Sequence, residues 1–265
     1  MPLQYLMSLK ALNPMAWVFH TSHEQINRYH RVLGRVIYTL LICHIVLYNA
    51  YFLYAGIWFK RFFAPVVFWG VLASLLMHAL FGTATTYIRN ISYRMFFVTH
   101  LIAALFIPVL IFFHAPHSRI YIVFSVVIFV IDLGVRRATT VTAAATIEPI
   151  PGTKLMKVAV PVPQQKLERF RAAPGSHIYL SLPPAGRNSS TPSSTSPMFD
   201  FLYNPFTVAS VTDDNSSINL VVRQRHGPMT DVISQFASKA QQAQSQMTVP
   251  LAIEGPYGVM TSKYQ

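Results

Sequence analysis

Hydrophobic positions in the first 140 residues come in long blocks rather than at alternating intervals. Val36–Tyr54, Phe62–Tyr87 and Met95–Ser118 hold no charged side chain, the last containing the run LIAALFIPVLIFF; Ile120–Val135 is shorter and carries Asp132 near its end. A helix crossing a bilayer needs roughly 20 apolar residues, so these blocks predict four transmembrane helices, in which Pro65 and Pro108 are tolerable. From Thr146 the period changes. Lys154–Val162, His177–Leu182, Thr207–Val211, Ile218–Arg223 and Met247–Ile253 are short, β-branched and alternating, and are broken by Pro, Gly and Ser. They predict an all-β barrel of about six strands. Asp231–Gln246 spaces its apolar residues helically, so one helix interrupts the strands, with Thr230 as its cap and free N–H groups able to receive a phosphate. Gly186–Pro197 is low-complexity and reads as a flexible insertion. The division is a membrane α-helical bundle over 1–140 and a β-barrel over 141–265.

Composition agrees. Of 265 residues, 52% are apolar and only 11% charged, against about 25% charged in a soluble domain. Disorder, collagen-like rods and coiled coils are excluded on the same grounds. Cys43 is the sole cysteine, so no intramolecular disulfide exists. The net charge of +12 suggests nucleic-acid binding until the charges are located. Residues 1–140 hold 11 Lys/Arg against 2 Asp/Glu, and residues 141–265 hold 10 against 7. The basic excess therefore lies between apolar blocks, where it acts as a topology signal, and no nucleic-acid partner is expected. With both ends inside, Arg28, Arg31, Arg35, Arg89, Arg94, Arg136 and Arg137 face the cytosol and only Lys60, Arg61 and Arg119 face outward. Arg136 and Arg137 sit where a soluble domain would dock, though plain positive-inside anchors are the simpler reading. The first twenty residues lack signal-peptide features and read as an interfacial or connecting segment. Asn90-Ile-Ser92, Asn188-Ser-Ser190 and Asn215-Ser-Ser217 match the glycosylation pattern, but all would face the cytosol unmodified.

The histidines carry the chemistry. His30 and His44 are 14 residues apart, as are His100 and His114. Fourteen helical residues span roughly 21 Å and return to within about 40° of the same face. On two helices running the same way, His30 is level with His100 and His44 with His114. Neutral imidazole is a good iron ligand, and polar residues at bilayer depth tend to mark function. The pattern predicts two haems, each held by an axial His pair. His78 has no matching partner and reads as a packing or hydrogen-bonding residue; His20, His23 and His117 read as surface histidines.

The stretches HRVLGRVIYTLLICH and HLIAALFIPVLIFFH resemble the transmembrane domain of fungal ferric-chelate reductases, relatives of the NADPH oxidases. That resemblance implies two haem b groups, the cytosolic one on His30 and His100 and the outer one on His44 and His114. Asn204-Pro205-Phe206-Thr207, the RQRHGPMT segment with Arg223, Gly227 and Thr230, Gly255-Pro256-Tyr257-Gly258, and PGSHIYLSLP resemble the FAD-binding barrel that follows the haem domain in that family. There the first segment packs on the isoalloxazine, the strand-to-helix junction takes the pyrophosphate, and the last lies beside the flavin. Asn204 stands where the family usually has His. The family also has two further N-terminal helices and a Rossmann-type NADPH domain, neither of which this sequence contains. The resemblance implies an integral plasma-membrane oxidoreductase with a cytosolic FAD domain. It would pass NADPH-derived electrons from FAD through both haems to an extracellular ferric or cupric chelate, in iron or copper uptake, with an iron permease or ferroxidase as partner. Two alternatives remain open: a superoxide-forming oxidase, and a catalytically silent haem-binding subunit.

Overall fold

The structure, a computed structural model, describes residues 2–187, 203–213, 216–224, 228–243 and 246–258. It divides into two compact units, residues 1–18 with 25–133, and residues 19–24 with 134–265.

The first unit is helical. α1 (Pro2–Leu6) and α2 (Pro14–Val18) precede α3 (His23–Tyr54); then come α4 (Trp58–Phe62), α5 (Pro65–Ala84), α6 (Thr86–Ile91), α7 (Tyr93–His114) and α8 (Arg119–Thr139). Four of these are long and apolar enough to cross a membrane. Pro65 opens α5, where its missing N–H costs nothing. Ser92 caps α7 by accepting from the Met95 N–H. The third helix stops at His114, short of the expected Ser118, because Ala115 turns extended ahead of Pro116. The first helix starts thirteen residues before the uncharged block, placing His30 on the same continuous helix as His44.

Polar contacts weld the amino-terminal segment to this bundle. Pro108 lies inside α7, so the carbonyl four residues earlier loses its ladder donor. That carbonyl belongs to Ala104, and the Tyr5 hydroxyl donates to it at 2.6 Å. Burial raises the Tyr5 pKa and keeps it a donor. Asp132, 1% exposed, accepts from the backbone N–H groups of Ala11 at 2.9 Å and Leu12 at 2.8 Å. A buried carboxylate needs such partners, which accounts for the one acidic residue in an apolar block. Residues 2–18 are thus a folded part of the bundle rather than a connector.

The second unit is a closed antiparallel barrel in the order β1-β2-β5-β4-β3-β6. Its strands are β1 (Val141–Pro149), β2 (Leu155–Pro161), β3 (His177–Ser181), β4 (Asn204–Thr212), β5 (Ser217–Arg223) and β6 (Met247–Tyr257). Alternation points Val158 and Val160 of β2 and Ile218 and Leu220 of β5 into a fully buried core. α9 (Gln164–Arg171) buries Leu167 and Phe170 one turn apart. α10 (Pro228–Ala243) lays Met229, Ile233, Phe236 and Ala237 on the same core at helical spacing. Because Pro228 takes the first helical position, Thr230 sits inside the first turn of α10 and is not its cap. Beyond Arg187 the low-complexity segment lies outside the described residues, as do Asn188, Asn215 and Gly227.

Lys166 on α9 is 8% exposed. Its ammonium donates to the carbonyls of Thr139 at 3.0 Å and Ile253 at 3.3 Å. Burial, aided by the Arg169 charge and opposed by Glu254, brings its pKa down to about 8.

Two outcomes test these contacts. Tyr5→Phe orphans the Ala104 carbonyl and should lower the stability of the helical unit by about 1–3 kcal/mol, read as a lower denaturation midpoint of the full chain in detergent; an unchanged midpoint contradicts the account. Between about pH 8 and the ordinary lysine value the unfolded chain binds a proton at residue 166 that the folded chain does not, so stability rises with pH across that window. In Lys166→Met that rise should disappear; a variant retaining it would show that other groups produce it.

Candidate functional site

α3 and α7 bring the four predicted histidines together in pairs. The ring centroids of His30 and His100 are 6.2 Å apart, and those of His44 and His114 are also 6.2 Å apart. A metal ion between two imidazole nitrogens separates the centroids by about 6 Å, from metal–nitrogen bonds of roughly 2 Å and ring radii of roughly 1 Å. Both pairs match that separation.

The second ring nitrogens fit the same role. His30 Nδ1 lies 3.1 Å from the Gln4 carbonyl, and the Gln4 side-chain amide donates to the His30 carbonyl at 3.0 Å. His114 Nδ1 lies 2.7 Å from the Val66 carbonyl. A carbonyl can only accept, so each of these rings is protonated at Nδ1 and offers its Nε2 lone pair outward. His100 Nδ1 is buried without a hydrogen-bond partner among the described residues. Its ring packs on Phe96 at 5.4 Å, and the Arg89 guanidinium lies 5.0 Å from the Phe96 ring centroid. His78 turns back on its own helix, Nδ1 2.6 Å from the Ser74 carbonyl, and stands edge-on to Tyr38.

Among the described residues no three His, Cys, Asp or Glu side chains converge on one point. Each of the two histidine pairs would offer a metal two ligands. Such a set suits an ion whose remaining positions belong to a macrocycle, which is the ligation of a bis-His haem.

In the barrel, three of the predicted segments share β3. Asn204, Pro205, Phe206 and Thr207 pair with Leu180, Tyr179, Ile178 and His177. On the other edge, Tyr257 pairs with His177 and Glu254 with Tyr179. Thr207 and Tyr257 thus flank His177 on its two sides. Arg223 ends β5 three residues beyond Leu220, which faces Val208, and so comes level with the start of β4. The Asn204 side-chain N–H group is buried without a partner among the described residues, a donor suited to a bound acceptor. Gly255-Pro256-Tyr257-Gly258 is mostly strand: β6 runs through Tyr257, with a cis Gly255–Pro256 bond. Gly255 and Gly258 take φ of 131° and 78°, a region that favours glycine. A Cβ at Gly258 would lie 2.9 Å from His177 Nδ1.

Arg136 is more than a positive-inside anchor. It makes a two-pronged ion pair with Glu254, at 2.7 and 3.0 Å, and its guanidinium lies over the Tyr203 ring. Glu254 is 1% exposed and also accepts from the Tyr257 hydroxyl. Sequence reasoning missed Glu254, Gln4 and Val66. The last two act through backbone carbonyls, which leave no trace in residue type.

Comparison with known proteins finds matches in both parts of the chain. Residues 1–111 match the family model of the ferric reductase like transmembrane component, and residues 139–261 match an FAD-binding domain. The two matches together take in most of the chain, which is similar along its length to fungal ferric reductase components. It is a membrane protein carrying an FAD-binding domain. A probable ferric reductase transmembrane component of Candida albicans is 23% identical over 254 residues, covering 94% of this chain and 35% of that protein. The probable metalloreductase AIM14 of Meyerozyma guilliermondii is 26% identical over 196 residues, covering 74% of this chain and 38% of that protein. The chain therefore spans little more than a third of the length of these curated relatives. A siderophore-interacting protein from Acinetobacter baumannii gives a TM-score of 0.29 at 17% identity, over 47% of this chain and 44% of that one.

Arg136→Ala strips a buried carboxylate of its cationic partner and should cost about 3–5 kcal/mol, whereas the double replacement Arg136→Met with Glu254→Leu should recover most of it. Chemical denaturation of the full chain in detergent measures both; equal losses in the single and double variants would contradict the pairing.

Proposed function

We propose that this chain is the electron-carrying core of a transmembrane ferric-chelate reductase, delivering electrons from a cytosolic flavin to a ferric or cupric chelate outside. The observation that supports this most is the repetition of one imidazole separation, 6.2 Å, at two places along the same pair of helices. Flavin and haem, when bound, supply the redox chemistry; the side chains hold, orient and shield them. His30 and His100 would hold the haem nearer the cytosol, and His44 and His114 the outer one. The carbonyls of Gln4 and Val66 fix the tautomer and direction of two of the four ligands. In the barrel, Asn204–Thr207, Arg223, Thr230 and Gly255–Gly258 would cradle FAD, with Gly227 in the same segment. Arg28, Arg31, Arg35, Arg89, Arg94, Arg136 and Arg137 favour a cytosolic face for that domain, in a plasma membrane if the substrate is extracellular. The names of the relatives favour a metal acceptor over oxygen.

A reduced-minus-oxidised visible spectrum of the full chain, with haem counted per chain, tests the reading. Two b-type haems are expected, with His30→Ala losing one and His44→Ala the other; an unchanged spectrum in both variants contradicts it. Reduction of a ferric chelate by chain carrying photoreduced FAD should persist with superoxide dismutase present. Its abolition would make oxygen the acceptor.

A further inference from the structure

We propose that α5 is a third wall of the His44–His114 site: Gly70 and the Val66 carbonyl together seat the His114 ring and thereby set the potential of that site. This rests on the haem reading above.

The ring of His114 lies directly against the bare Cα of Gly70. A Cβ there would come within 2.5 Å of both Cε1 and Nδ1 and 3.1 Å of Nε2, far inside the roughly 3.5–4.0 Å of an ordinary contact. Any side chain at position 70 must therefore displace the imidazole. Val66 precedes Gly70 by four residues, one turn of α5, so its carbonyl and the open Cα lie on one face. A helical carbonyl keeps a second lone pair after its ladder bond, and here it takes Nδ1 of His114 at 2.7 Å. One turn of α5 thus fixes how close the ring lies and which nitrogen carries the proton. An imidazole donating from Nδ1 to a carbonyl is the more basic ligand at Nε2, which stabilises the oxidised metal and lowers its potential. The other pair is anchored from another part of the chain, through Gln4 on α1, so the two sites are tuned independently. Gly82 lies on the same helix with nothing within 4 Å of a Cβ placed on it.

The test is a redox titration of both haems in the full chain carrying Gly70→Ala, with Gly82→Ala as the matched control. In Gly70→Ala the haem lost by His44→Ala should bind 10–100-fold more weakly, the range for loss of an outer-shell partner, and the fraction retained should show a raised midpoint potential. The other haem and both haems of Gly82→Ala should keep wild-type potentials. Wild-type potentials at both sites in Gly70→Ala would overturn the seat while leaving the haem reading intact. A wild-type chain with no haem would overturn the underlying reading instead. If Gly70→Ala loses both haems through misfolding, the wild type decides. Its His114-ligated haem should show a hydrogen-bonded, exchangeable imidazole proton by electron–nuclear double resonance; its absence would also overturn the seat.

Discussion

An imidazole gives a metal its Nε2 lone pair only while Nδ1 holds the proton, and in hydrocarbon there is no water to take that proton's hydrogen bond. At two of the four rings, His30 and His114, the helical unit meets this demand with backbone. Gln4 supplies a carbonyl to His30 and Val66 supplies one to His114. Much of the surrounding architecture follows. α1 must reach α3, so Tyr5 ties α1 to the Ala104 carbonyl that Pro108 leaves open. Asp132 holds the segment that follows. α5 must approach α7 closely enough for a carbonyl to touch the ring, and that requires glycine at position 70.

The barrel answers a different constraint, the burial of charge. Glu254 is acceptable in its wall because Arg136 of α8 bonds it twice, with the Tyr257 hydroxyl on the same carboxylate. Lys166 stands beside them on two carbonyls. These residues adjoin Gly255 and the β3 edge where the flavin-type segments meet. The chemistry expected of that edge is therefore supported by a dense, oriented polar network rather than by a loop.

Periodicity made the four spans and the level histidines legible, because a 14-residue spacing on a helix has one geometric meaning. It also revealed five of the six strands. β1 escaped notice because Val141–Pro149 is rich in Ala, which carries no β signal. α9 was missed because eight residues with only Leu167 and Phe170 buried are too few to display a period. The amino-terminal segment was unreadable for a different reason: Gln4 acts through its carbonyl and Tyr5 through an acceptor 99 residues away. Arg136 was underestimated because its partner is the isolated Glu254, 118 residues further on. Gly70 gave no signal at all, since its role is to lack a side chain.

The most direct test of the central claim, that each histidine pair ligates one haem iron, is low-temperature electron paramagnetic resonance of the oxidised full chain. Two low-spin ferric signals in equal amount, with no high-spin component, are predicted by two bis-imidazole sites. A high-spin signal, or a single low-spin species accounting for all the haem at one per chain, would contradict it.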